Sequence, residues 1–285
     1  MGDHCRFRWH GRYTAVHPVM RVVLLAALVT GCGTANLSPA MPSSGQARPV
    51  LPVHLTAAQI AQLPRATTFG RSPRAPRDPD PDGPENGLVL HPTRTQVVYD
   101  SPGGSPVAAL PVTQLGGPTW VPVVQSQPEW DRVLLPTRPN RSTGWIYLGA
   151  AGIRTASSAY RIEVSLATRR ITVLDGGRSL GSWPAAVGTA ATPTPTGRTF
   201  LLASVAPVHP TYSPLILPLG VHSDALGRFD GGAGTVALHG WPNPSVFGHA
   251  VSHGCVRVPA AALRALSQVP LGSPVIISDQ SGETQ

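Results

Sequence analysis

The stretch from Leu238 to Arg257 gathers the side chains best suited to covalent chemistry. His239-Gly240 stands at one end and Ser252-His253-Gly254-Cys255-Val256-Arg257 at the other. A thiol attacks as its thiolate, and a nearby imidazole can take its proton or hold the ion. Gly254 keeps the backbone beside the thiol bare, so a carbonyl can approach and amide N–H groups can point at its oxygen. This set suits acyl transfer through a thioester. The alternative chemistry is a zinc set of His239, His249, His253 and Cys255. Structural zinc sites use tighter paired spacings, and catalytic ones add a carboxylate nearby. No Asp or Glu lies between Asp230 and Asp279, so neither a metal nor another cofactor is expected.

The elements around these residues read as strands. Thr235–Leu238 is a strand whose end delivers His239. Pro259 opens a helix to Leu266, with Leu263 and Leu266 turned inward, and Pro274–Ile277 closes the chain as a strand. Upstream, Tyr160, Ile162, Val164 and Leu166 alternate with Arg161, Glu163 and Ser165, and Ile171–Leu174 pairs back. Leu180–Val187 and Arg198–Ser204 follow, separated by the Thr/Pro-rich loop Ala191–Gly197. Pro207–Gly220 reads as a Pro-broken loop or lid near the cleft. His222 and Ser223 are candidates to line that cleft and bind substrate. His249 reads as a loop residue. His239 and His253 compete for the base role. His239 would approach the thiol from a rigid strand end, whereas the approach of His253 depends on a local bend.

The N-terminal half differs. Of the 285 residues, 32 are Pro and 30 Gly, and only 13% are charged, with a net charge of +8. That composition argues against a helical bundle. A basic balance can mean nucleic acid, but no recognition motif accompanies it, and an anionic envelope polymer or surface explains it equally well. Arg6, Arg8, Arg12 and Arg21 precede the apolar run Val22–Val29, too short to be a permanent membrane span. The run ends in Val29-Thr30-Gly31-Cys32, which resembles a bacterial lipobox with Cys32 as the lipid-modified residue. The start could be Met1 or Met20. The cysteines are Cys5, Cys32 and Cys255. Removal of 1–32 with lipid on Cys32 leaves Cys255 as the lone thiol, a reactive candidate. Residues 33–87 read as a Pro-rich disordered tether, interrupted by a short helix at Thr56–Leu63. Residues 88–153 read as short strands between turns, with Trp120, Trp130 and Trp145 in a small core.

His-Gly, a spacer, then Ser-His-Gly-Cys-Val-Arg resembles the signature of the L,D-transpeptidase (YkuD-type) catalytic domain, over roughly Tyr160 to Asp279. Carried over, the resemblance implies Cys255 as nucleophile and His239 as its base, with Gly240, Ser252, His253, Gly254 and Arg257 shaping the site and the oxyanion pocket. The expected fold is mainly β. Residues 88–153 resemble a small SH3-like β-barrel, with an immunoglobulin-like module as the alternative. Residues 160–280 would form a YkuD-type β-sandwich with a short helix after Cys255. The implied substrates are peptidoglycan stem peptides, cross-linked through a Cys thioester, and carbapenem β-lactams would be covalent inhibitors. The implied location is the bacterial envelope, lipid-anchored to the outer face of the cytoplasmic membrane, with no nucleic-acid partner. An L,D-carboxypeptidase acting on the same stems, or a non-catalytic wall-binding lipoprotein, are the rival readings.

Overall fold

A computed structural model of the chain describes residues 49–83, 86–209, 212–229 and 232–280. The expected signal segment, its lipobox and Cys32 lie outside the described residues. The protein is mainly β, with α-helices only at Ala57–Ala61 and Ala260–Leu266 among the described residues.

Where a small barrel or immunoglobulin-like module is expected, residues 88–157 build a seven-stranded antiparallel sheet. Its order is Pro106–Leu110, Gln96–Tyr99, Thr143–Tyr147, Trp130–Leu134, Val121–Gln127, Leu88–Pro92 and Ile153–Ser157. Tyr99, Trp130 and Trp145 form one small cluster. Trp120 instead packs in the core of the C-terminal half, with Ile162, Leu238 and Val275. The exchange is mutual, since Phe200 and Leu202 of the C-terminal half pack with Leu90, Val121 and Ile146. The two halves therefore share their cores.

The C-terminal half combines three sheets. Five strands run in the order Arg178–Pro184, Arg170–Asp175, Tyr160–Ser165, Pro274–Ser278 and Gly197–Phe200. Ile162 and Val164 turn into the core, as the alternation requires. A three-stranded sheet holds Ile216–His222, Thr235–Gly240 and Val256–Val258, the last two parallel. Val187–Gly188 pairs in parallel with Ala250–Ser252. The helix Ala260–Leu266 starts after Pro259, which is its N-cap, and buries Ala262, Leu263 and Leu266.

Two expectations are corrected. The segment before Gly87 is not a disordered tether over its described part. From Pro49 it runs along the folded body: Trp130 Nε1 donates to Val50 O at 2.7 Å, and Ala66 N donates to Ala109 O at 2.9 Å. Asp78 forms a buried ion pair with Arg198, Nη2 to Oδ1 at 2.9 Å. Scattered anchors of this kind leave no periodicity in a Pro-rich sequence, so composition alone suggests disorder. Likewise Ile216–His222, expected to lie within or beside a Pro-broken loop, is a seven-residue strand. Pro218 falls where its register shifts, one of the few places a sheet accepts proline.

Candidate active site

Two neighbouring parallel strands set the chemistry. Leu238 pairs with Val256 and His239 with Arg257. One step back along that register, Cys255 falls beside Ala237. Residues two apart on a strand share a face, so the Cys255 and Arg257 side chains and those of Ala237 and His239 emerge together. The register thus puts Cys255 and His239 diagonally across the strand pair.

His239 is 6% exposed, and its ring is pinned. Nδ1 lies 2.8 Å from Gly240 O. A carbonyl only accepts, so Nδ1 carries the proton and Nε2 keeps its lone pair. Gly240 is itself held, its N–H donating to Ser213 Oγ at 2.8 Å. Tyr212 meets the imidazole edge-on at 5.0 Å between centroids, and Trp241 lies 6.0 Å away. Burial pushes the imidazole below the usual histidine range, the Gly240 carbonyl raises it, and the Arg257 charge lowers it further.

Cys255 is a free thiol, partly buried. Burial pushes it above the usual thiol range, while a hydrogen bond from the Ala237 backbone and the charge of Arg257 pull it back down. The guanidinium of Arg257 lies 3.7 Å over the Trp241 ring, which fixes one cation near both reacting groups. Its Nε is buried without a partner among the described residues. Burial thus disfavours the charged form of both groups, while the Arg257 charge favours the thiolate.

The turn carrying the thiol is braced from two sides. Ser252 Oγ donates to Cys255 O and accepts from Gly254 N at 3.1 Å. The Gly254 N–H is thus occupied, and the Cys255 N–H is the other amide of the turn. Gly254 has φ +113°, a conformation strained for any residue with a side chain. From the other side, Thr194 Oγ1 donates to Gly254 O at 2.9 Å and accepts from Gly188 N at 2.9 Å. Thr189 N donates to Ser252 O at 3.1 Å. The loop between Gly188 and Gly197 thereby fixes the turn.

The other expected residues are placed elsewhere. His253 is exposed and tilts against Phe229 at 5.4 Å, and His249 is exposed. His222, expected in the cleft, is 0% exposed. Its Nε2 sits 2.7 Å from Thr68 O on the N-terminal segment, and burial drives its pKa down to about 4. Substrate cannot reach an imidazole packed beneath that segment. Ser223 remains near the turn, its Oγ 3.9 Å from where a Cβ on Gly254 would stand. Sequence reasoning passed over Tyr212, Ser213, Thr194 and Trp241. The signals for them are the Thr/Pro-rich loop for Thr194, the expected lid Pro207–Gly220 for Tyr212 and Ser213, and the direct adjacency of Trp241 to His239-Gly240. Beside His239, Tyr212, Leu215, Trp241, Pro242 and Leu263 line a mostly apolar groove of about 350 Å³. Among the described residues no group of three His, Cys, Asp or Glu side chains could hold a metal ion.

Comparisons with known proteins agree on one family. The model of the L,D-transpeptidase catalytic domain (YkuD) matches residues 159–277. A Bacillus licheniformis protein whose name assigns it provisionally to L,D-transpeptidase YkuD is 33% identical over 153 residues, 52% of this chain and 86% of the relative. Among solved structures, LD transpeptidase LdtMt1 in complex with imipenem is 19% identical, covering 67% of this chain and 82% of its own at a TM-score of 0.38. L,D-transpeptidase 3 from Mycobacterium tuberculosis, with a faropenem-derived adduct, is 15% identical, covering 66% and 94% at a TM-score of 0.38.

Proposed function

The chain belongs to the L,D-transpeptidase (YkuD) family, and on that premise we propose that it cross-links peptidoglycan stem peptides with Cys255 as nucleophile and His239 as general base. The observation that carries the reading is the tautomer of His239. Nδ1–H is committed to Gly240 O, which leaves a basic Nε2 on the strand face from which the Cys255 side chain emerges. As Sγ attacks the carbonyl of the third stem residue, a diamino acid, its proton passes to Nε2. The Sγ–C bond forms, and the Cys255 N–H donates to the oxyanion. When the tetrahedral intermediate collapses, the C–N bond breaks and His239 returns the proton to the departing amine of the terminal D-residue. A side-chain amine of a second stem then attacks the thioester, His239 takes its proton, and the thiol is regenerated.

The apolar groove beside His239, bordered by Tyr212, Gly240 and Trp241, offers a surface on which a second stem can seat as acceptor. Hydrolysis of the thioester would make the same site an L,D-carboxypeptidase. The imipenem complex and the faropenem-derived adduct of the two solved L,D-transpeptidases support a carbapenem adduct on Cys255. On this reading the protein acts outside the cytoplasmic membrane. The arginine-flanked apolar run and Cys32 are the sequence features that support export and lipid attachment there.

The test is mass spectrometry of the products formed from tetrapeptide muropeptides. Wild type should give cross-linked dimers with loss of one terminal residue per bond. Cys255→Ala should lower turnover by at least about 10³-fold while remaining folded. Tripeptide monomers without dimers would move the reading to the carboxypeptidase, and full activity in a folded Cys255→Ala protein would remove the nucleophile assignment.

A further inference from the structure

The loop that braces the Cys255 turn has a second face. Pro195 and Thr196 border a cavity of about 350 Å³ whose other walls carry Arg71, Arg77, Arg138, Arg141 and Asp224. These residues come from the N-terminal segment, from the loop after Leu135 and from the segment after His222, so only the folded chain assembles them. Four arginines face a single aspartate there, a formal surplus of three positive charges. That aspartate is already engaged, accepting from Asn140 Nδ2 at 2.9 Å.

The arginines are not neutralised by the protein. Among the described residues the ion pairs are Arg198–Asp78 and Arg161–Glu163, and none of the four takes part. Arg138 is fixed by backbone carbonyls, donating to Ser223 O at 3.3 Å, Leu226 O at 3.3 Å and Ala233 O at 3.0 Å. Arg141 Nη2 donates to Thr196 O at 3.2 Å. Arg71 and Arg77 are exposed, and neither guanidinium is hydrogen-bonded to a described residue. Burial lowers the Arg138 pKa and the Arg71 charge lowers it further, with the Asp224 charge opposing them in part. Like charges drawn into one concavity repel, and an anion among them relieves that cost. A concave wall also focuses the field on an incoming anion.

We propose that this cavity is a binding site for a phosphoryl oxyanion carrying at least two negative charges, either a free polyphosphate or successive units of a phosphodiester chain. Guanidinium forks match phosphoryl oxygens in pairs, and two free forks beside two anchored ones supply donors on several sides of the ligand. A monocarboxylate would leave most of the surplus charge in place. The site shares its Pro195–Thr196 wall with the loop that holds Gly254, so its occupant sits next to the reactive turn without entering it. The proposal stands independently of the role given to Cys255.

The experiment is calorimetric titration of the full chain at low ionic strength with two probes, inorganic tripolyphosphate and a glycerol-phosphate trimer. Wild type is expected to bind one equivalent. Arg71→Ala/Arg77→Ala should weaken binding at least ~10-fold, while Arg65→Ala/Arg178→Ala, which removes the same charge from exposed positions elsewhere, should stay within about two-fold. Binding of tripolyphosphate alone assigns the free-phosphate source, and binding of both probes assigns the chain. Amide shift perturbations in wild type, confined to residues 71, 77, 138, 140, 141, 196 and 224, locate the site without relying on any variant's folding. Three results would overturn the proposal: no binding of either probe, an equal loss in both double variants, or equal affinity for the tricarboxylate tricarballylate.

Discussion

At the scale of residues, the reactive pair is tuned by what lies between and beside it. Arg257 is a fixed charge near both groups, and its removal has a signed consequence. Its charge pulls the Cys255 thiol down against burial, so Arg257→Ala should move the pH profile of iodoacetamide labelling of Cys255 upward. The same charge holds the His239 imidazole down, so the acid limb of turnover should also move to higher pH. In wild type that limb lies below the ordinary histidine value of about 6.5, since turnover needs the neutral imidazole. His239→Ala should cost about 10²–10⁴-fold in turnover, whereas His253→Ala, exposed against Phe229, should cost far less. Comparable losses in the two would exchange their roles. Cys255 and His239 are legible in the sequence because one short ribbon carries both with a distinctive spacing. Ser213 and Thr194 are not, because a lone Ser or Thr is common everywhere and only the fold shows which backbone group it holds. His222 misleads for the same reason, its partner Thr68 lying 154 positions away.

At the scale of elements, the strand pair is readable from alternation, and the loop that completes the site is not. A stretch rich in Thr and Pro announces a break in a ladder but not what the break supports. Here it holds the reactive turn through Gly188, where a Cβ would stand 2.2 Å from Thr192 O and 2.6 Å from Thr194 N. Both are backbone atoms and cannot move aside alone. Gly188→Ala should therefore displace the loop, loosen the Thr194–Gly254 contact and lower kcat by up to about 100-fold, with a smaller change in KM. Steady-state kinetics beside circular dichroism checks this, and an unaltered kcat would mean that the brace does not position the turn. The strand Ile216–His222 shows the opposite limit. Prolines at 210, 214 and 218 suggest a loop, yet a register shift lets the last of them stay in the sheet.

At the scale of the whole molecule, the N-terminal segment fastens the two halves by buried polar contacts. Asp78 and Arg198 have side chains 1% and 3% exposed, so Asp78→Ala strands a buried cation and should cost about 3–5 kcal/mol in urea unfolding. Asp78→Leu combined with Arg198→Met should recover much of that loss, and failure to do so would point to the backbone acceptors Asp80 O and Gly83 O instead. His222 adds a pH term. Its folded pKa of about 4 lies below its unfolded value, so the unfolded chain binds more protons between the two. Its contribution is present above about pH 6.5 and lost as pH falls toward 4, by about 2–3 kcal/mol between pH 7 and pH 4.5. His222→Asn, which cannot titrate, should flatten that part of the stability profile. The interlocked cores, with Phe200 and Leu202 on one side and Trp120 on the other, bear on how such a protein can be recombined. Gene fusion at the boundary of the matched family region would transplant a catalytic cassette whose Arg198 and His222 had lost their covers. A viable chimera would have to inherit residues 64–83 from the same parent as the catalytic region they cover.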